Sequence, residues 1–203
     1  TDIFVMNANG SDQRSVTKMP GHELDPRWSP DATRIAFSAT GFQRNIMIIG
    51  VDGTSPRTVL RHCNNVGSPC WSPDGKRIAT AFRGPPETDT AGVVIIDPNK
   101  EEGSTLAESL EKAVIGSAIH PHPGGGRHVQ PSWYSTGSAS RRWLLKTFGG
   151  LSWSADSKYL AFSSDMGDDG YFYVYTISPD GGEPKRLEST RSAWLQETDW
   201  CPK

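Results

Sequence analysis

Histidine, aspartate, serine and cysteine are the side chains whose spacing in this chain could do chemistry. His120, His122 and His128 fall within one short stretch, "HPHPGGGRH". On a strand, His-x-His spacing puts both imidazoles on one face, and a third histidine six residues on could complete a divalent-metal set. Pro121 and Pro123 work against a regular strand there, and Gly124–Gly126 offer no rigid frame for ligands. An exposed loop is therefore the expectation.

Asp165, Asp168 and Asp169, in "SDMGDDGY", offer hard oxygens of the kind calcium takes. The D-x-[DN]-x-[DN]-G spacing of a calcium loop is absent, and a solvated hairpin turning on Asp-Gly is expected instead. Gly150-Leu151-Ser152-Trp153-Ser154 comes nearest to a nucleophile elbow, yet it lacks the final glycine. Ser152 is expected to be an ordinary strand residue, and no catalytic residue is assigned. Cys63 and Cys70 are close enough in sequence to bridge, while the odd count of three, with Cys201, fits reduced thiols equally well. No cofactor is required; calcium or another divalent ion is the one that these acids or histidines would suit.

The elements that must position such groups are read from composition and repetition. With 21 Gly, 15 Pro and 7 Trp in 203 residues, the chain is punctuated too often for long helices and suits short strands joined by turns. The net charge of −2 gives no basic footprint, so nucleic acid is not an expected partner. No apolar run is long enough for a membrane span, and no signal peptide is visible. A chain that starts at Thr1 is expected either to have lost a leader or to be part of a longer protein.

The stretch "PRWSPDATRIAF" at 26–37 is nearly repeated as "PCWSPDGKRIAT" at 69–80. Trp28 and Trp71 are 43 residues apart, and Trp153 and Trp200 are 47 apart. Around these anchors one grammar recurs. An extended stretch ends in tryptophan, a turn follows ("SPDA", "SPDG", "SADS"), and then comes an apolar strand ("TRIAFSA", "KRIATAF", "KYLAFSS"). About ten residues later come third strands at Ile46–Ile49, Val93–Asp97 and Phe172–Ile177, with Ile3–Met6 as the same strand at the start. Final strands are expected at Arg14–Thr17, Arg57–Leu60 and Lys185–Leu187. Four short strands in a meander cannot bury both faces of their sheet alone; radial stacking of copies does so.

The repeat "P-x-W-S-P-D-G-K-R-I-A", with "I-x-V-M-N-A-N-G-S", resembles that of TolB-like β-propellers, a repeat shared by propeller domains of dipeptidyl-peptidase and acylaminoacyl-peptidase relatives. The resemblance is close at 1–97 and 150–203 and fails at 98–149. It implies an all-β propeller of about four four-stranded antiparallel blades, or five with one degenerate, treated as a single domain or fragment over 1–203. "STLAESLEKAV" reads as a short helix, with Thr105 and Glu108 as its capping box, so a helical or loop insertion is expected near 101–128. "VQPSWYSTG" reads as a worn copy of the anchor motif, with "RRWLLKTF" as a second strand.

In the resembling fold the anchor tryptophans pack between blades and the turns link first to second strands. The polar residues just before each tryptophan would line the channel mouth. These are His22, Glu23, Asp25, Asn64, Asn65, His128, Gln130, Gln196, Glu197 and Asp199. The leading expectation is a non-enzymatic binding module, holding a protein partner or a small ligand such as a glycan at that mouth. A regulatory propeller, or fragment of one, from a larger serine peptidase is the alternative. A metal-dependent polysaccharide lyase using the histidines comes third. The resemblance leans toward a periplasmic or secreted location, and it implies a monomer if the ring closes and an edge-paired oligomer if not.

Overall fold

The computed structural model describes residues 1–41, 44–63, 65–83, 91–100, 104–105, 114–115, 117–121, 127–131, 149–164 and 171–187. Every regular element among them is a strand. The first two, β1 (Phe4–Val5) and β2 (Arg14–Ser15), pair antiparallel. The next four form the first full blade: β3 (His22–Trp28), β4 (Arg34–Thr40), β5 (Arg44–Gly50) and β6 (Arg57–Cys63), an antiparallel meander as the repeat predicts.

The second blade has its first strand in two pieces, β7 (Asn65–Val66) and β8 (Cys70–Trp71), both paired to β9 (Ile78–Arg83). β10 (Ala91–Ile96) follows in the same sheet. Two short strands then depart from the repeat. β11 (Ser104–Thr105) runs parallel to β6 at the edge of the first blade, and β12 (Val114–Ile115) closes the second blade beside β10. A separate hairpin follows, β13 (Ser117–Pro121) with β14 (Arg127–Pro131). The third blade is β15 (Gly149–Trp153), β16 (Leu160–Ser164), β17 (Tyr173–Ile177) and β18 (Lys185–Arg186).

Two expectations for the middle are corrected. Thr105 and Val114, read as the two ends of a helix, are strand residues; what lies between them is outside the described residues. The "HPHP" stretch is not a loop throughout, because Ser117–Pro121 is a strand. Pro121 and Pro131 each take the last place of their strand, where a missing N–H breaks no interior ladder bond.

The turn after each tryptophan is built alike. In the first blade Ser29 Oγ donates to Asp31 Oδ1 at 2.6 Å and accepts from Arg34 N–H at 2.9 Å. Ser72 does the same with Asp74 (2.6 Å) and Arg77 (2.9 Å), and Ser154 with Asp156 (2.7 Å) and Tyr159 (2.9 Å). The fourth turn residue has positive φ in each copy: Ala32 (+55°), Gly75 (+69°) and Ser157 (+59°). Hydrogen bonds to the charged form hold these aspartates below the usual carboxylate range. Asp31 falls to about 2, with the Ser29 hydroxyl as the main cause and Thr33 next.

Alternation along the second strands gives every blade a polarity. Ile35 and Phe37 pack back on Ile3 and Val16 of the β1–β2 pair, whereas Ala36 joins Ile46, Ile48 and Leu60 against Trp71, Ile78 and Phe82 of the second blade. Ala79 and Val93 then meet Trp153, Leu160 and Phe162 of the third. Along these second strands the large residues face the preceding blade, and Ala36 and Ala79 face the following one. The indoles repeat this direction. Trp71 Nε1–H donates to Arg27 O at 3.2 Å, and Trp153 Nε1–H to Cys70 O at 3.0 Å, in each case the residue before the previous blade's tryptophan.

The third blade therefore packs directly on the second. Among the described residues no blade stands between them. After β10, Arg57 clasps residues 98–100, donating to the Lys100 carbonyl at 2.8 Å and to that of Pro98, while Arg34 donates to Asn99 Oδ1 at 3.1 Å and lies over the Trp71 ring. Trp28 departs from the expected packing: its side chain is 52% exposed. The β1–β2 pair before it has no first strand among the described residues to offer the matching carbonyl.

Candidate functional site

The one charged side chain buried among the described residues is Glu23, 3% exposed. It sits near the start of β3, where alternation turns His22 and Leu24 outward and Glu23 inward. Gly21 makes this approach feasible: its φ is +113°, and a Cβ there would stand 2.1 Å from the Thr40 carbonyl oxygen. Immediately after, β3 carries a bulge between Leu24 and Arg27, with Asp25 at φ +54°. The bulge recurs three residues before Trp153, at Gly150 with φ +65°, and the break between β7 and β8 falls at the same place. It lets the front of each first strand present side chains independently of the tryptophan end.

Glu23 is oriented by a short relay. Ile3 N–H donates to Thr17 Oγ1 at 2.8 Å, and the Thr17 hydroxyl donates to Glu23 Oε2 at 3.0 Å. Thr17 is itself 1% exposed. Because the backbone N–H occupies a lone pair, the hydroxyl proton is directed at the carboxylate. The second oxygen, Oε1, is buried and has no hydrogen-bond partner among the described residues.

Glu23 lines a pocket of about 450 Å³ between β3, β4, β5 and β6, a volume within the range of small-molecule sites. Met19, Pro20, Ala39 and Met47 give it an apolar side. Asn45, Thr40, Thr58 and Arg61 give it polar groups, Arg61 at an exposed position.

Of the expected channel-mouth residues whose side chains are described, Glu23 alone lines this pocket. His22 is exposed. Asp25 is exposed at the bulge, with Ser38 Oγ 3.5 Å from its Oδ2. Asn65 is placed on β7, and His128 and Gln130 on β14, as backbone positions only. Asn64, Gln196, Glu197 and Asp199 lie outside the described residues. So do His122 and the acidic loop of Asp165, Asp168 and Asp169. His120 and His128 stand directly opposite each other across β13 and β14. Ser152 is a strand residue, 8% exposed, facing Ala161 in register.

Sequence reasoning missed Met19, Asn45, Met47, Thr58 and Arg61. The β5–β6 pair explains part of this. Ile46 pairs with Leu60 but Met47 with Thr58, a register shift that breaks the period-two reading of β6. Thr58 and Arg61 reach one pocket although three residues apart.

No family model matches this sequence, and no curated relative does. Solved structures do. The Pyrococcus horikoshii acylaminoacyl peptidase is 16% identical over 97% of this chain and 29% of its own, with a TM-score of 0.56. The β-propeller domain of the Trilobed protease from Pyrococcus furiosus is 15% identical over 93% of this chain and 49% of its own, with a TM-score of 0.52. TolB from Acinetobacter baumannii is 19% identical over 96% of this chain and 50% of its own, with a TM-score of 0.42. The chain thus spans half or less of each of these three chains. The two peptidase structures, with the meander sheets and the blade-to-blade indole bonds, identify the fold. The chain is an all-β propeller, which the structure describes in part.

Proposed function

We propose that this chain is a propeller binding module without catalytic machinery of its own, taking a ligand in the pocket before the β3 bulge. The observation that carries the reading is a pocket of about 450 Å³ on the first blade, lined by Glu23, whose buried side chain is held by the Thr17 hydroxyl, together with Met19, Met47, Asn45 and Arg61. Met19 and Met47 suit a varied apolar body, since methionine adapts its shape. His22 and Asp25, exposed beside the pocket, extend the surface toward a larger partner, with Asn65, His128 and Gln130 of the expected mouth as further candidates. A small-molecule and glycan library screened by ligand-observed NMR tests this. Hits that shift the Met19 and Met47 methyl signals support the pocket; hits that leave both unmoved, or no hits, overturn it.

A second reading has its own support. The matched acylaminoacyl peptidase is a longer chain, of which this one spans 29%. As the propeller of a larger peptidase, the chain would control access to chemistry located elsewhere. A fluorophosphonate probe distinguishes the two: labelling confined to a longer product of the same reading frame favours the peptidase, and no labelling of either favours the autonomous module.

A further inference from the structure

We propose that the seam ahead of the first blade docks a β-hairpin of another polypeptide, whose second strand pairs with the open edge of β1. Among the described residues the β1–β2 pair is a sheet of two strands, where each later blade has at least four. The turns after β1 and β5 fix how the strands correspond: Gly10 N–H donates to Asn7 O, and Gly53 N–H to Gly50 O, both at 2.8 Å. Phe4 and Met6 of β1 therefore stand where Met47 and Ile49 stand in β5. The second and third blades have Val94 and Ile96, then Tyr175 and Ile177, at the same places. In all three blades these residues pack toward the sheet before. Phe4 and Met6 are instead 64% and 63% exposed. Trp28, whose sister indoles each reach the blade before, is exposed as well.

The main chain is open in the same place. Val16 N–H donates to Ile3 O at 2.8 Å, so Ile3 and Val5 turn their main chain to β2. Antiparallel alternation then leaves the N–H and C=O of Phe4 and Met6 at the other edge. Such an edge is a template for a strand from another chain. The second strands of the blades show what fits it. Ile35, Ala36 and Phe37 lie opposite Ile49, Ile48 and Met47, and Leu160-Ala161-Phe162 repeats the pattern. The occupant thus carries a large apolar residue opposite Met6, alanine opposite Val5 and a second large apolar residue opposite Phe4. Alanine is required because that side meets the first blade, as Ala36 and Ala79 meet the blades after them. The strand ahead of it in the hairpin offers a carbonyl to Trp28 Nε1–H, as Arg27 and Cys70 do to Trp71 and Trp153.

The test adds an unlabelled peptide of residues 26–40, which bears this pattern, to the whole ¹⁵N-labelled chain. Hydrogen exchange at the Phe4 and Met6 amides and the Trp28 indole N–H signal are the readouts. The peptide should slow both amides about tenfold or more and shift the Trp28 signal. The same residues in scrambled order should do neither. A double Phe4→Lys, Met6→Lys variant, altered only at exposed positions, should lose the response, because lysine blunts an edge. No slowing with the peptide, equal slowing with the scrambled one, or an undiminished response in the lysine variant overturns the proposal. So does slow exchange in the dilute chain alone, which means that the chain fills its own edge. Slowing that follows chain concentration without peptide overturns it too, and makes a second copy the occupant.

Discussion

Replacing each anchor tryptophan by phenylalanine separates the indole hydrogen bond from the bulk of the ring. Trp71 and Trp153 are 7% and 5% exposed and donate across a blade boundary at 3.2 and 3.0 Å, whereas Trp28 is 52% exposed. Phenylalanine removes the donor and leaves a carbonyl in the neighbouring blade without it. An unsatisfied buried acceptor costs about 1–3 kcal/mol, and the smaller ring adds up to about 1 kcal/mol from lost packing. Trp71→Phe and Trp153→Phe should each lose roughly 2–3 kcal/mol. For a protein of this size that is a fall in Tm of about 4–12 °C. Trp28→Phe should stay within about 0.5 kcal/mol, the range of ordinary surface changes. Urea denaturation followed by far-UV circular dichroism, which does not depend on the residue replaced, gives the three values. Equal losses at all three positions would refute the view that the indole acts through the blade before it.

The positive φ of Ala32, where the sister turn has Gly75, predicts that Ala32→Gly gains up to about 1 kcal/mol by relieving left-handed strain. Ser157→Gly should gain nothing, because Ser157 Oγ accepts from Asp74 N–H of the neighbouring blade at 3.2 Å; thermal melts compare the two. The turn aspartates hold their protons less tightly in the folded chain than in the unfolded one. The stability they add should be complete above roughly pH 4 and drain as the pH falls toward about 2. A triple Asp31→Asn, Asp74→Asn, Asp156→Asn variant should flatten that acid limb of the urea midpoint. Arg57→Met should cost about 2 kcal/mol through its two carbonyl bonds to 98–100 and quicken hydrogen exchange in β10, read by mass spectrometry.

The blades were legible because their signals are local. Serine and aspartate two residues apart, a residue able to adopt positive φ, and alternating apolar positions recur in every copy, and each acts within a few residues of itself. Glu23 was legible as a polar residue ahead of a tryptophan, but nothing in the sequence says that it turns inward to meet Thr17. That contact depends on the β1–β2 pair lying against the first blade. The pocket was illegible for a related reason: the register shift in β5–β6 regroups side chains that a period-two reading puts on opposite faces. Equal tryptophan motifs likewise concealed unequal surroundings, since an indole's burial is set by the blade before it.

The contact between the second and third blades separates what the chain links from what the fold joins. Ala79 and Val93 share one apolar cluster with Trp153, Leu160 and Phe162, residues far from them in sequence, so this docking is a long-range event that a folding chain must reach late. The grip is made by the two sheets themselves and by the Trp153 indole on the Cys70 carbonyl, so sequence can change away from that seam while the two wedges keep their hold on each other.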